Sequence, residues 1–179
     1  IYVRLMSHRL VGAYVAVALL TGCAQSFSAP QQLTHVDRWI LVERPDDDPF
    51  GDEQDVGVPI DQRYQCPDDG YQVEGNIFEI ETGVCAYATF TQPSLAAVTA
   101  RDQIAVLVWH LNLWAQEDAI AHAAIQLGDE LLWERDVAIP GAADVYSDVI
   151  TIEHDHPTAT PVYIHLHNHG VNSWRFGDL

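Results

Sequence analysis

The chain of 179 residues contains 26 acidic residues and only 8 basic ones, so its formal net charge at neutral pH is −18. All of the basic residues are arginines. A surface of this charge repels nucleic acids and anionic lipid head groups, which excludes DNA or RNA as a partner.

The first 22 residues differ in composition from the rest of the chain. Residues 6–9 (MSHR) carry positive charge, and residues 10–20 form an apolar run of eleven residues without a charged side chain. A helix needs about 20 apolar residues to cross a bilayer, so this run is too short to span one. It is typical of the apolar region of an export signal. We therefore expect residues 1–22 to be a signal peptide, with Met6 as the natural start.

The signal ends in the tetrapeptide LTGC, in which Cys23 follows directly on small residues. In this order of charge, apolar run and cysteine, residues 6–23 resemble a bacterial lipoprotein precursor. The resemblance implies lipidation of Cys23, a membrane attachment through acyl chains that each contribute about 0.8 kcal/mol per buried CH₂, and a tether over residues 23–36. Ala24, rather than Asp, implies the outer membrane if the host is Gram-negative. An ordinary secretory signal or a short anchor helix is the alternative.

Two cysteines remain once Cys23 is assigned to a lipid. An exported chain enters an oxidising compartment, where a remaining pair is expected to be bridged. We therefore predict a Cys66–Cys85 disulfide, which would stabilise the fold by about 3 kcal/mol in the chain-entropy model. Two buried free thiols are the alternative.

An acidic loop is predicted at residues 46–55, where DDDPFGDEQD places six carboxylates in ten residues. Pro49 and Gly51 interrupt any regular element, so the stretch is interpreted as solvated. A calcium loop is the alternative, but the spacing does not match the EF-hand pattern.

From residue 37 to residue 179 the chain reads as one all-β domain. Short extended runs, rich in β-branched and aromatic residues, recur every 10 to 15 residues between Gly, Pro and Asp. This rhythm predicts an antiparallel β-sandwich of jelly-roll type. The runs are DRWILVE, GYQVEGNIFEIETG, VCAYATFTQP, DQIAVLVWHLNLW, DVYSDVITIEHD, PVYIHLHNHG and NSWRFGDL.

Residues 115–127 are ambiguous between helix and strand. Their Ala, Glu and Gln content favours a helix that ends at Gly128. The Gly128-Asp129 pair between two apolar runs instead suits a two-residue hairpin turn, and this hairpin is the favoured prediction.

Three histidines alternate along the segment VYIHLHNHG, residues 162–170. In a strand, His165, His167 and His169 would share one face with Tyr163, opposite a core face. Two histidines at i and i+2 could bind one zinc or copper ion with a third ligand from another strand. His110 is the third ligand that we assign, and His122, His154 and His156 are the alternatives.

An organic ligand is a second interpretation of the same face. His165, His167 and His169 offer neutral hydrogen-bonding groups, to which Asn172 adds an amide and Trp174 an aromatic surface, a combination suited to sugars. The pattern over about the last 80 residues resembles jelly-roll carbohydrate-binding modules, which implies glycan recognition. A solvated or structural face is the remaining alternative.

No enzyme motif of the GxSxG, HExxH, GxGxxG or GxxxxGK[ST] type occurs, and we assign no catalytic residue. The sequence therefore predicts a lipid-anchored cell-envelope protein that recognises a glycan or an envelope partner. A metal-binding lipoprotein and a structural envelope protein are the alternatives.

Overall fold

The computed structural model describes residues 30–51 and 64–179. The leader, Cys23 and the second part of the acidic stretch lie outside the described residues. Among the residues that are described, no helix has the length and apolar composition needed to cross a membrane.

Within residues 30–51 and 64–179 the domain has ten strands and three short 3-10 turns. The strands are β1 (Ile40–Leu41), β2 (Tyr71–Glu74), β3 (Ile77–Glu81), β4 (Tyr87–Pro93), β5 (Gln103–His110), β6 (Ala119–Leu127), β7 (Glu130–Ile139), β8 (Asp144–Thr151), β9 (Pro161–His167) and β10 (Ser173–Gly177). The 3-10 turns are Val36–Arg38, Pro45–Asp47 and Asp68–Gly70.

The strands form two antiparallel five-stranded sheets. Sheet A has the order β1-β4-β9-β6-β7, and sheet B has the order β2-β3-β10-β5-β8. The hairpin β6–β7 is flanked in the chain by the successive pairs β5–β8, β4–β9 and β3–β10, which alternate between the sheets. This nested winding is the topology of a jelly roll, so the predicted fold class is confirmed.

Apolar side chains from both sheets meet between them. Phe78 and Trp174 from sheet B and Phe90, Ile164 and Leu166 from sheet A are all almost completely buried. They stand at alternate positions of their strands, so the intervening side chains point to the outer face of each sheet. The residues that pack in the core therefore determine which of their neighbours point to the outer faces.

Residues 119–127 of the ambiguous segment form the strand β6, and the predicted hairpin is confirmed. β6 and β7 pair on either side of Gly128, whose φ of +59° is readily adopted by glycine. The alanines that favoured a helix are buried: Ala121 and Ala123 face the core, whereas Ala124 lies opposite His165 on the outer face. The packing of these small side chains in the sheet outweighs their intrinsic preference for a helix.

Residues that were assigned to the tether belong to the folded domain. Leu33, Thr34 and Val36 are buried, and the Leu33 amide donates to the carbonyl of Leu179 at 2.6 Å. The compact unit accordingly begins at Gln31 and not at residue 37. The predicted disulfide is present, because Cys66 and Cys85 are bridged with their Cα atoms 4.7 Å apart.

Candidate metal centre

Three histidines meet on the outer face of sheet A. His165 and His167 extend from β9, whose alternate residues Ile164 and Leu166 enter the core. His122 extends from the neighbouring strand β6 and lies directly opposite His167 in the strand register. The predicted alternation of β9 is therefore correct, and strand order supplies the third ring.

These rings are buried although they lie outside the sandwich core. The exposed fractions are 9% for His122, 0% for His165 and 8% for His167. One potential ligand atom from each of the three residues lies within 4.8 Å of the other two. A tetrahedral ion with metal–nitrogen distances of about 2.0–2.1 Å holds its ligands about 3.4 Å apart. The three ligand atoms therefore lie somewhat farther apart than in a formed site, and their rings would have to move closer together to coordinate one ion.

Two of the three rings are oriented by hydrogen bonds to neighbouring side chains. The Nδ1 atom of His165 lies 2.8 Å from the hydroxyl of Thr89 on β4. The Nε2 atom of His122 lies 2.9 Å from a carboxylate oxygen of Glu134 on β7. Metal-ligating histidines commonly use one nitrogen for the ion and the other for such a partner. The arrangement therefore fits the surroundings of a metal site.

Residues 45–51, which we call the strap, cover this face. The ring of Phe50 stacks on His165 with centroids 4.5 Å apart and an interplanar angle of 22°. The carboxylate of Asp48 holds the strap, since it accepts hydrogen bonds from the Phe50 amide at 3.0 Å and the Tyr87 hydroxyl at 2.9 Å. Asp48 is buried, so this part of the predicted acidic loop is not solvated.

The donor chemistry indicates which ions would fit. Three imidazoles suit zinc or copper, whereas calcium and magnesium require oxygen ligands. His122, His165 and His167 would hold the ion, and a further coordination position would remain for water or another ligand.

His110, the third ligand assigned from the sequence, does not join this cluster. It lies on β5 in the other sheet, where its Nδ1 donates to the Leu111 carbonyl at 2.8 Å and its Nε2 lies 3.2 Å from the Tyr146 hydroxyl. Its ring packs against Trp174 with centroids 4.5 Å apart. The assignment of His110 is therefore corrected in favour of His122, one of the alternatives.

The expected organic-ligand face is not assembled as predicted. Trp174 is 0% exposed and lies in the core, where its indole nitrogen donates to Asn168 at 3.1 Å. Asn172 is also buried, and its side chain holds the backbone of Trp114 and of His169. The alternation of Trp174 and Phe176 with Ser173 and Arg175 is a sequence signal that could have placed Trp174 inside.

His169 stands at the edge of the cluster. Its ring is 5.8 Å from that of His167, beyond the end of β9. It lies between the end of β9 and Gly170, where a Cβ atom would collide with the Trp114 carbonyl oxygen. The group of ligand atoms within 4.8 Å of one another comprises His122, His165 and His167, and His169 lies beside it.

His154 and His156, the other two alternative ligands, both lie beside the carboxylate of Glu130. The carboxylate of Glu130 accepts from the His156 ring at 2.9 Å and lies 3.4 Å from the His154 ring. Burial tends to raise the pKa of Glu130, but the hydrogen bonds from His156 and from the amides of Glu153 and His154 outweigh it and hold the pKa below its ordinary value. These contacts tie the β6–β7 turn to the segment before β9.

The outer face of sheet B has a different character. A single row in register crosses all five strands: Gln72, Glu79, Arg175, Trp109 and Val145. The buried Glu79 carboxylate accepts from Arg175 at 2.6 Å and from Gln72 at 3.3 Å. The row therefore combines a neutralised ion pair with a partly exposed indole.

No protein-family description and no curated protein matches the chain. Among solved structures, one described as "CBM4 structure and function" is 12% identical, with 61% of this chain and 75% of that chain covered and a TM-score of 0.35. Another, PfGH50B, is 10% identical, with 60% and 20% covered and a TM-score of 0.33. The chain thus spans about a fifth of PfGH50B, and these similarities add nothing to the strand order already described.

Proposed function

We propose that the domain binds one zinc or copper ion through His122, His165 and His167. The observation that carries the proposal is the convergence of three buried imidazoles with ligand atoms within 4.8 Å of one another. Burying three imidazole rings together removes water from their nitrogen atoms, which costs free energy. Three metal–nitrogen bonds would compensate for that cost. The acceptors Thr89 and Glu134 fit the same purpose, because they can fix the orientation of two rings.

Metal titration of the purified domain tests this proposal. We expect one zinc or copper ion per chain by elemental analysis and calorimetry, and a rise in the thermal unfolding midpoint when the ion is added. His122→Ala and His167→Ala should lose the ion, whereas His154→Ala, which removes an exposed imidazole at Glu130, should retain it. A protein that binds no ion, or binds it equally well in His122→Ala, would refute the proposal.

A second candidate function is glycan recognition, and the row across sheet B favours it. Trp109 offers a partly exposed aromatic ring beside Arg175, and strands about 4.8 Å apart carry donors and acceptors across the sheet at regular intervals. Neutral sugars suit such a face better than anions do, because the chain as a whole is strongly acidic.

Glycan-array and cell-wall pull-down assays test this second candidate. Trp109→Ala should abolish any binding, and Trp114→Ala, which removes an exposed indole at the end of the sandwich, is the matched control. Equal loss in both variants, or loss only in Trp114→Ala, would place the binding elsewhere.

The proposed setting for either function is the bacterial cell envelope, with attachment through a lipid on Cys23. Its support is the leader and the LTGC sequence at residues 20–23. Mass spectrometry of protein expressed with its leader should find an acylated N-terminal cysteine, and Cys23→Ala should move the protein out of the membrane fraction. Unmodified Cys23 in a membrane fraction would contradict this assignment.

A further inference from the structure

The side chains next to the histidine cluster indicate how a metal ion would be held. Only one of the two nitrogens of an imidazole can face an ion, so the partner of the other nitrogen determines which one coordinates. His122 and His165 differ in this respect, because the former presents Nε2 to a carboxylate and the latter presents Nδ1 to a hydroxyl.

We infer that Glu134 is a positioning residue for the metal, an inference that rests on the proposed function. Its carboxylate accepts the Nε2–H of His122, which assigns Nδ1 of His122 to the ion. The Thr89 hydroxyl lies within hydrogen-bond distance of Nδ1 of His165, and we assign Nε2 of His165 to the ion on that ground. The site would therefore coordinate with mixed ring nitrogens.

The location of Glu134 supports this role. It lies on β7 at the register position of Ala124, diagonally across from His122, and its side chain is 51% exposed. A side-chain contact this exposed contributes little to folding. A carboxylate bonded to a metal-bound imidazole, in contrast, raises the basicity of the ligand and fixes its ring, effects that change metal affinity about 10- to 100-fold.

The chain contains a matched control on the same strand. Asp136 lies directly opposite His122 in the register and on the same outer face of β7. It is exposed, and within the described part of the chain its carboxylate is not hydrogen-bonded to the His122 ring. Removing either carboxylate changes the net charge equally, so only the contact with His122 distinguishes Glu134 from Asp136.

The test compares zinc affinity in four variants with that of the wild-type domain. Glu134→Ala should weaken binding about 10- to 100-fold. Glu134→Gln, which retains an acceptor without the charge, should fall between this variant and the wild type. Asp136→Ala and Asp136→Asn should remain within about twofold of the wild type. Equal effects at positions 134 and 136 would reduce the role to general electrostatics and overturn the inference.

Long-range ¹⁵N–¹H NMR of the zinc-bound domain supplies a readout that a merely structural role would not produce. We expect His122 to carry its proton on Nε2 with zinc on Nδ1, and His165 to show the reverse. Zinc on Nε2 of His122, or direct coordination by Glu134, would overturn the inference and leave the proposed function standing. A wild-type domain that binds no zinc or copper would overturn both.

Discussion

Two groups of histidines in this domain use the same side chain in opposite ways. His122, His165 and His167 face one another, and in residues 30–51 and 64–179 no carboxylate joins the group of converging ligand atoms. His154 and His156 instead converge on the partly buried carboxylate of Glu130, which also accepts hydrogen bonds from two backbone amides. An imidazole beside a carboxylate donates its hydrogen bond to that carboxylate. Imidazoles beside one another bring together nitrogen lone pairs that suit a metal cation.

The position of the nearby acid therefore decides between the two roles. Glu134 touches His122 from the outer side of the cluster, where it can orient the ring without occupying the centre. Glu130 occupies the centre of the other group itself. The comparison predicts that substitutions in the first group change metal binding and that substitutions in the second change folding stability.

The largest expected effect is loss of the metal from a variant of the first group. His165→Ala removes the most deeply buried ligand. Zinc affinity should fall by more than about 100-fold, because loss of a residue that only hydrogen-bonds to a ligand can already lower the affinity about 100-fold. Calorimetric titration measures the effect, and circular dichroism confirms that the variant is folded. Unchanged affinity in the folded variant would remove the distinction between the two groups.

A substitution in the second group should have the complementary effect. Glu130→Ala leaves the amides of Glu153 and His154 and the His156 ring without their acceptor, so the free energy of unfolding should fall by about 1–3 kcal/mol. Urea denaturation of the metal-free protein measures this change. Zinc affinity should stay as in the wild type, and a parallel loss of affinity would indicate that the groups are not independent.

The strap separates the two groups further, because it covers only the first in the described part of the chain. Phe50→Leu keeps an apolar cover but removes the ring that stacks on His165. We expect zinc to dissociate faster, by a few-fold, since water gains access to the cluster, and stopped-flow transfer to a chelator measures the rate. An unchanged rate would show that the strap does not limit access.

The smallest effect expected is a pH dependence that belongs to the second group. Because the pKa of Glu130 lies below its ordinary value in the folded protein, its ionised form stabilises the fold. That contribution is present above the pKa of the unfolded chain and is lost as the pH falls towards the lowered folded value. Glu130→Gln should therefore lose less stability than the wild type on acidification below about pH 4.5, as measured by urea denaturation at several pH values.

Much of the fold was predictable because its signals are local. Alternation along residues 162–167 defined the core and outer faces of β9, and the Gly128-Asp129 turn identified the β6–β7 hairpin. The disulfide followed from the number of cysteines together with the expected compartment.

The site was only partly predictable because it depends on strand order. No pattern in the sequence shows whether His110 or His122 is the third ligand. The order of the strands decides it, because β6 pairs with β9 whereas β5 belongs to the other sheet. Asp48 gives no local sign that distinguishes it from the acids around it, although it alone among residues 46–48 is buried. The prediction for Trp174 is wrong because it rested on the suitability of an aromatic surface for sugars and not on the alternation of β10, which places Trp174 in the core.

Anomalous X-ray diffraction from crystals of the wild-type domain grown with zinc tests the central claim most directly. The account predicts one anomalous peak about 2.0–2.1 Å from a ring nitrogen of each of His122, His165 and His167. A peak at Glu130, His154 and His156, or zinc present in the crystals but absent from the three-histidine cluster, would contradict it.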